Sequence, residues 1–239
     1  MCNRSGLIVG FDYVARRALV TRADCDSWSC PECAKRMREY WILRAEIGVR
    51  QFITQEIRVD FVTITSHEKL KTFAATEAVW RGAWDRLYKA IKRRAEVFEY
   101  IIIPERHKDG RMHVHALWTA NVGKRWLKDN ARKRGLGFMA DVTPIETAHS
   151  AVKYVTKYVG KDLGADAPPH FRRVRVSRNW AEVPVPITDL SGLEWLHVGT
   201  NGALSALYER CNREKFSLID LETGAFFDDV DLGTIVWGS

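Results

Sequence analysis

The sequence predicts an α+β fold, with a central antiparallel sheet of about five strands and helices packed on it, largely on one face. Three observations carry that expectation. Stretches rich in β-branched residues are interspersed with stretches of helical apolar spacing. One pair of strands meets across an Asp-Gly step, a hairpin signal. Hydrophobic residues make up 46% of the chain, enough to bury a sizeable core.

Residues 6–22 alternate apolar and polar positions (Leu7, Val9, Phe11, then Ala18 to Val20), which predicts a short hairpin leading into a cysteine cluster. From Ala34 to Arg50 the spacing of Met37, Tyr40, Trp41, Arg44 and Ile47 is helical. Residues 58–66 form a strand rich in β-branched side chains. A helix over 72–95 sets Trp80, Trp84, Leu87, Tyr88 and Ile91 on one stripe that faces the core. Residues 98–104 and 111–119 are two strands joined by the segment from Glu105 to Gly110. Helix returns over 122–134 around Trp126 and Leu127, a strand runs from Phe138 to Val142, and 146–160 is helical again. Beyond Pro168 and Pro169 come an arginine-rich strand, loops with Pro184 and Pro186, and a mixed C-terminal tail. Three parts follow: 1–50 with hairpin, cysteines and helix; 51–182 with the sheet; and 183–239, an extension of unassigned role.

The net charge of +7 favours a polyanionic partner, and its distribution says more than the total. One run holds Arg81, Arg86, Lys89, Lys92, Arg93 and Arg94; a second holds Lys124, Arg125, Lys128, Arg132, Lys133 and Arg134; a third holds Arg172, Arg173, Arg175 and Arg178. Any single run reads as a solvated helix face, whereas three together point to phosphate contacts. Residues 217–239 contain Asp220, Glu222, Asp228, Asp229 and Asp231 and no basic side chain. No apolar window is long enough to span a membrane, no secretory signal is evident, and the GxxxxGK[ST] pattern of an ATPase is absent.

Two motifs carry chemistry. In His113-Val114-His115, strand alternation places both imidazoles on one face, where they can share a divalent cation. The hairpin returns the Glu105 carboxylate beside them, and two histidines with one carboxylate make a workable Mg²⁺ or Mn²⁺ site. In the stretch from Tyr154 to Lys161, Tyr154, Lys157, Tyr158 and Lys161 lie within an arc of about 100° at helical spacing. Val152, Val155 and Val159 supply the opposite, packing face. A tyrosine oxygen can attack a phosphodiester to leave a 5′-phosphotyrosine and a 3′-hydroxyl, with the cation polarising the phosphate and a lysine offsetting charge. The upstream strand Phe61-Val-Thr-Ile-Thr65 would scaffold the metal site as a neighbour of the histidine strand.

The order of these three motifs resembles the HUH endonuclease superfamily. Tyr154-Val-Thr-Lys-Tyr-Val-Gly-Lys161 is similar to the two-tyrosine replication initiators of small single-stranded DNA phages and related plasmids or prophages. The resemblance spans about residues 58–180, including Arg175-Val-Ser-Arg-Asn-Trp180. It implies an HUH fold, a metal held by Glu105, His113 and His115, tyrosine nucleophiles at Tyr154 and Tyr158, and assistance from Lys157 and, less directly, Lys161. It further implies single-stranded and origin hairpin DNA as partners, a host replication helicase as a further one, and a bacterial host cytoplasm as the setting. Arg93, Arg94, Lys124, Arg125, Arg172, Arg173, Arg175 and Arg178 are the candidate DNA contacts. Two other readings remain open, a transposase of the HUH class and a non-catalytic zinc-containing DNA-binding protein.

Of the chain's five cysteines, Cys25, Cys30 and Cys33 fall within nine residues and look like a structural Zn²⁺ knuckle. The fourth thiolate is expected from Cys2 through the hairpin, with Cys211 as its competitor.

Overall fold

The structure, a computed structural model of the chain, describes residues 6–23, 25–137, 139–161, 163, 167–168, 171–183, 190–198, 201–221 and 226. The chain divides into two compact units, residues 37–183 and a second made of 1–36 with 184–239.

The larger unit is built on a five-stranded antiparallel sheet of order β6-β3-β5-β4-β7. Its strands are β3 (Val59–Thr65), β4 (Tyr100–Arg106), β5 (Met112–Trp118), β6 (Ala140–Ile145) and the two-residue β7 (Arg175–Val176). Pairing places Thr63 opposite His115 and Glu105 opposite His113. With a side-chain period of two, Val62, Ile64, Ile102, Met112, Val114, Ala116 and Trp118 share one face. They form a core with Trp80, Trp84, Leu87 and Ile91 of α2 (Phe73–Lys92) and Leu127 and Ala131 of α3 (Lys124–Lys133). Thr72 starts α2 by accepting a hydrogen bond from the Ala75 N–H, a side-chain N-cap.

The other face carries Phe61, Thr63, Glu105, His113 and His115, and α4 (Ala148–Tyr158) lies over it, since its tyrosine rings stack on Phe61 and His115. Helices therefore cover both faces, which corrects the expectation of a largely one-sided arrangement. The physical reason is legible in Ile101-Ile102-Ile103 and Ala116-Leu117-Trp118, continuous buried runs rather than alternating ones, as strands covered on both sides require. Strand β6 starts at Ala140 and continues through Pro144 to Ile145, beyond the expected end at Val142. It lies at the sheet edge, where a proline costs no ladder hydrogen bond. Phe138 lies outside the described residues.

The smaller unit holds a four-stranded sheet of order β8-β1-β2-β9, made of β1 (Gly6–Asp12), β2 (Arg17–Ala23), β8 (Glu194–Val198) and β9 (Ser217–Asp220). The β2–β9 pair is parallel and the others are antiparallel. Leu7, Val9 and Phe11 pack with Leu207 and Cys211 of α5 (Asn201–Glu214) and with Phe216. The mixed C-terminal tail thus contains two strands and a helix. Helix α1 (Pro31–Thr54) matches the helical spacing seen in the sequence and extends it at both ends. Among the described residues, no helix is long and apolar enough to cross a membrane.

Candidate active site

Antiparallel pairing of β3, β5 and β4 sets Thr63, His115 and Glu105 in a row. His115 is buried; its Nε2 lies 2.6 Å from a Glu105 carboxylate oxygen and its Nδ1 3.1 Å from the Thr63 hydroxyl. A histidine gripped at both nitrogens has its ring orientation fixed. The other Glu105 oxygen accepts a hydrogen bond from the Lys161 ammonium. Burial pushes the Glu105 carboxyl up, but the hydrogen bonds from Lys161 and His115 outweigh it and hold the carboxyl below its usual range. Burial likewise lowers His115, partly opposed by Glu105.

His113 stands one pleat along. Its ring stacks on His107 of the hairpin turn, with centroids 4.1 Å apart, and His107 in turn faces Asp109 at 3.1 Å. Burial, then the neighbouring His107 and His115, push His113 down to about 4. Its Nε2 is buried with no hydrogen-bond partner among the described residues.

Helix α4 lays both tyrosines on this face. Tyr158 stacks on His115 with centroids 3.6 Å apart, and Tyr154 stacks on Phe61 at 4.1 Å. The ammonium groups of Lys157 and Lys161 lie 5.2 and 4.9 Å from the Tyr158 ring centroid, within cation–π range. Val155 and Val159 are buried on the packing side, as the spacing predicts. The route of Lys161 differs from that expectation, because α4 stops at Tyr158. Gly160, at a φ of +95°, turns the chain in the left-handed region that glycine tolerates, and Lys161 reaches Glu105 from beyond the helix. Beside Tyr154, the side chains of Ser150, Lys153 and Lys157 border a groove of about 400 Å³ floored by Pro144 and Ile145.

Two contributors were missed in the sequence. Phe61 is the stacking platform for Tyr154; its parity with Thr63 on β3 was the available signal. His107 sits in a turn, where no periodicity marks it.

Glu105 and the two histidines suit a divalent cation by donor type, and the unpartnered His113 Nε2 is the observation that favours one. Among the described residues, however, only Cys25, Cys30 and Cys33 bring three metal-ligand atoms within 4.8 Å of one another. Within that cluster Cys25 Sγ is 3.4 Å from Cys33 Sγ, and all three cysteines are free thiols. Cys2 lies outside the described residues. Cys211 is not part of the cluster: it is buried in the apolar core against β1 and β2, where burial raises its thiol to about 11. That placement removes it as the competing fourth ligand.

The basic residues fall into distinct settings. Arg93 is exposed at the C-terminal cap of α2, and the Arg94 guanidinium lies 5.5 Å from the Trp126 ring centroid. Lys124 pairs with Asp141 at 2.5 Å, and Arg125 is exposed. Arg172 and Arg178 are exposed, whereas Arg175 is partly buried and faces Glu77 at 3.6 Å. Arg173 donates to the Lys161 carbonyl at 2.9 Å, which ties the third basic run to the site.

Comparison of the whole chain with curated proteins and with solved structures returns no match. Residues 59–163 match the model of the replication-associated protein ORF2 family. That stretch starts with β3 and ends just beyond Lys161, so it holds every residue of the stacked tyrosine and histidine site; the match supports a rolling-circle replication initiator family.

Proposed function

We propose that the chain is a metal-dependent DNA nicking and joining enzyme of the two-tyrosine HUH type that starts rolling-circle replication, similar to the initiators of small single-stranded DNA phages and related plasmids. One observation carries the reading: the Tyr154 and Tyr158 rings stack on Phe61 and His115, on the sheet face that also bears Glu105 and His113. An amphipathic helix with half-buried tyrosines needs no such alignment with a histidine–carboxylate pair.

In this reading a tyrosine oxygen attacks the scissile phosphorus and the bond to the 3′-oxygen breaks. The phenolic proton is lost, the departing 3′-oxygen takes one up, and the 5′-phosphate remains on the tyrosine. Lys157 and Lys161 offset charge that accumulates on the phosphate. Glu105, His113 and His115 would hold Mg²⁺ or Mn²⁺, which when bound polarises the phosphate as a Lewis acid. Thr63 fixes the His115 ring, and Glu105 orients both His115 and Lys161. The covalent bond keeps the energy of the phosphodiester, so a 3′-hydroxyl can reverse the step and rejoin the strand. The second tyrosine permits a further transfer while the first is loaded. Exposed arginines and lysines, Arg93, Arg125, Arg172 and Arg178 among them, would contact the phosphates of single-stranded and hairpin DNA. Cys25, Cys30 and Cys33 would hold a structural Zn²⁺. A host helicase would extend the strand, acting in the bacterial cytoplasm.

The test uses end-labelled single-stranded oligonucleotides from the protein's own replicon, with Mn²⁺ or EDTA. A protein–DNA adduct that survives boiling in detergent should require the metal and carry the fragment downstream of the cut. It should be lost in the Tyr154→Phe/Tyr158→Phe double variant. Adduct formation that persists in the double variant, or DNA binding without any adduct, would overturn the reading.

A further inference from the structure

A second cavity in the larger unit, of about 430 Å³, opens where β3 ends, within the range of roughly 300–1,000 Å³ typical of small-ligand sites. Thr65 is on its wall and stands opposite His113 in the sheet. Ser66 lies three residues beyond Thr63, about 10 Å along the strand direction at the usual rise. The cavity therefore borders the proposed cleavage site without sharing its tyrosines or its metal-binding candidates.

Its walls are fixed by hydrogen bonds. Arg111 donates to Asp109 and to the Ser66 carbonyl, and the Ser66 hydroxyl donates to the Met112 carbonyl. Gly137 donates its N–H to the Thr65 carbonyl at 2.8 Å, and a Cβ there would collide with the Thr65 and Ser66 carbonyl oxygens. Glycine thus lets the segment after α3 close one side. Three polar side chains remain to read a ligand. The Arg132 guanidinium is exposed and has no hydrogen-bond or ion-pair partner among the described residues. The Glu68 carboxylate is also exposed. His67 accepts the Lys69 N–H at its Nδ1, 3.2 Å, which places the ring proton on Nε2 as a donor.

An arginine fork matches two adjacent acceptors, and a carboxylate matches two adjacent donors. Guanine is the base that offers O6 and N7 on one edge and N1–H and N2–H₂ on the next; adenine and cytosine place an amino donor where Arg132 needs an acceptor, and thymine offers a single carbonyl with a methyl group. A single-stranded segment can splay such a base into a pocket, whereas a duplex cannot without unpairing it. We infer that this cavity is a base-reading subsite that takes one unstacked guanine of the bound DNA strand, near the cut, between Arg132 and Glu68. The inference rests on the DNA-processing function proposed above and adds a sequence-reading element to it.

The test measures binding in EDTA, so that it does not depend on cleavage. A randomised single-stranded DNA pool is selected on the full-length protein, and the enriched sequence is resynthesised with its fixed guanine replaced by inosine, which lacks the N2 amino group, or by 7-deazaguanine, which lacks N7. Each replacement should weaken wild-type binding about tenfold, in line with the loss of a good base contact. The inosine penalty should vanish in Glu68→Ala and the 7-deazaguanine penalty in Arg132→Ala, because each variant already lacks the partner. Both side chains are exposed, so neither change threatens folding. Enrichment of no guanine, or penalties that persist unchanged in the two variants, would overturn the subsite. The adduct experiment stands apart: covalent adducts without guanine discrimination would sink the subsite alone, and guanine discrimination without adducts would sink the cleavage reading alone.

Discussion

At the scale of single residues, His113 shows how burial prepares a group for metal chemistry. Its low pKa of about 4 comes first from burial and then from its like neighbours His107 and His115. The ring is therefore neutral at pH 7, as ligation requires. The unfolded chain, with a histidine near 6.5, binds the proton at higher pH than the folded one. The stability that neutral His113 contributes is thus complete above pH 6.5 and is lost as pH falls toward 4. His115 is lowered as well and adds in the same direction. Glu105 and Asp109 are held below their ordinary carboxylate values, so their contributions fall away at lower pH still. In EDTA, the urea midpoint should drop between pH 6.5 and 4, and His113→Gln should flatten that drop. A variant with the wild-type slope would show that His113 does not titrate as its surroundings require.

At the scale of elements, contacts decide a case that helix propensity gets wrong. Gly48 lies inside α1, where alanine would be favoured by about 1 kcal/mol on conformational grounds. A Cβ at that position would run into the Trp180 indole, which is buried, packs edge-on to Phe52 and donates to the Arg44 carbonyl at 3.1 Å. Overpacking of this kind costs about 1–3 kcal/mol, and the indole has little room to move. Gly48→Ala should therefore lower stability in chemical denaturation, whereas a gain would mean that Trp180 repacks freely. The sequence marks Trp180 within a segment that resembles its counterparts in other initiators, but nothing in it links that residue to Gly48. Periodicity made α2, β3 and the β4–β5 hairpin legible, and it correctly set Tyr154 and Tyr158 opposite Val155. It missed features decided by tertiary setting: Pro144 is tolerated because β6 is an edge, and Lys161 reaches Glu105 through a left-handed Gly160 rather than along the helix.

At the scale of the whole molecule, the least legible feature was the pairing of distant segments. Leu7 pairs with Val198 and Arg17 with Ser217, and no local pattern in the hairpin announces partners so far along the chain. The cysteine knuckle, by contrast, was legible from spacing alone, because a tight Cys-x-x-Cys brings two thiols together almost regardless of the rest of the fold. Its location makes the two metal roles separable. Cys25, Cys30 and Cys33 belong to the unit formed by residues 1–36 and 184–239, while Glu105, His113, His115, Tyr154 and Tyr158 all lie within 37–183. Chelation would strip both sites, so a substitution is the cleaner probe. Cys30→Ser should abolish tightly bound zinc, read by elemental analysis of protein purified without added metal, and should lower Tm by about 5 °C or more as the knuckle's contribution is lost. With Mn²⁺ supplied below the melting transition, the same variant should still form the tyrosine–DNA adduct, because no ligand or nucleophile of that site comes from the cysteine segment. Loss of the adduct at a temperature where the variant remains folded would show that the knuckle takes part in binding or presenting the DNA strand; unchanged zinc content would show that the three thiols do not hold the metal.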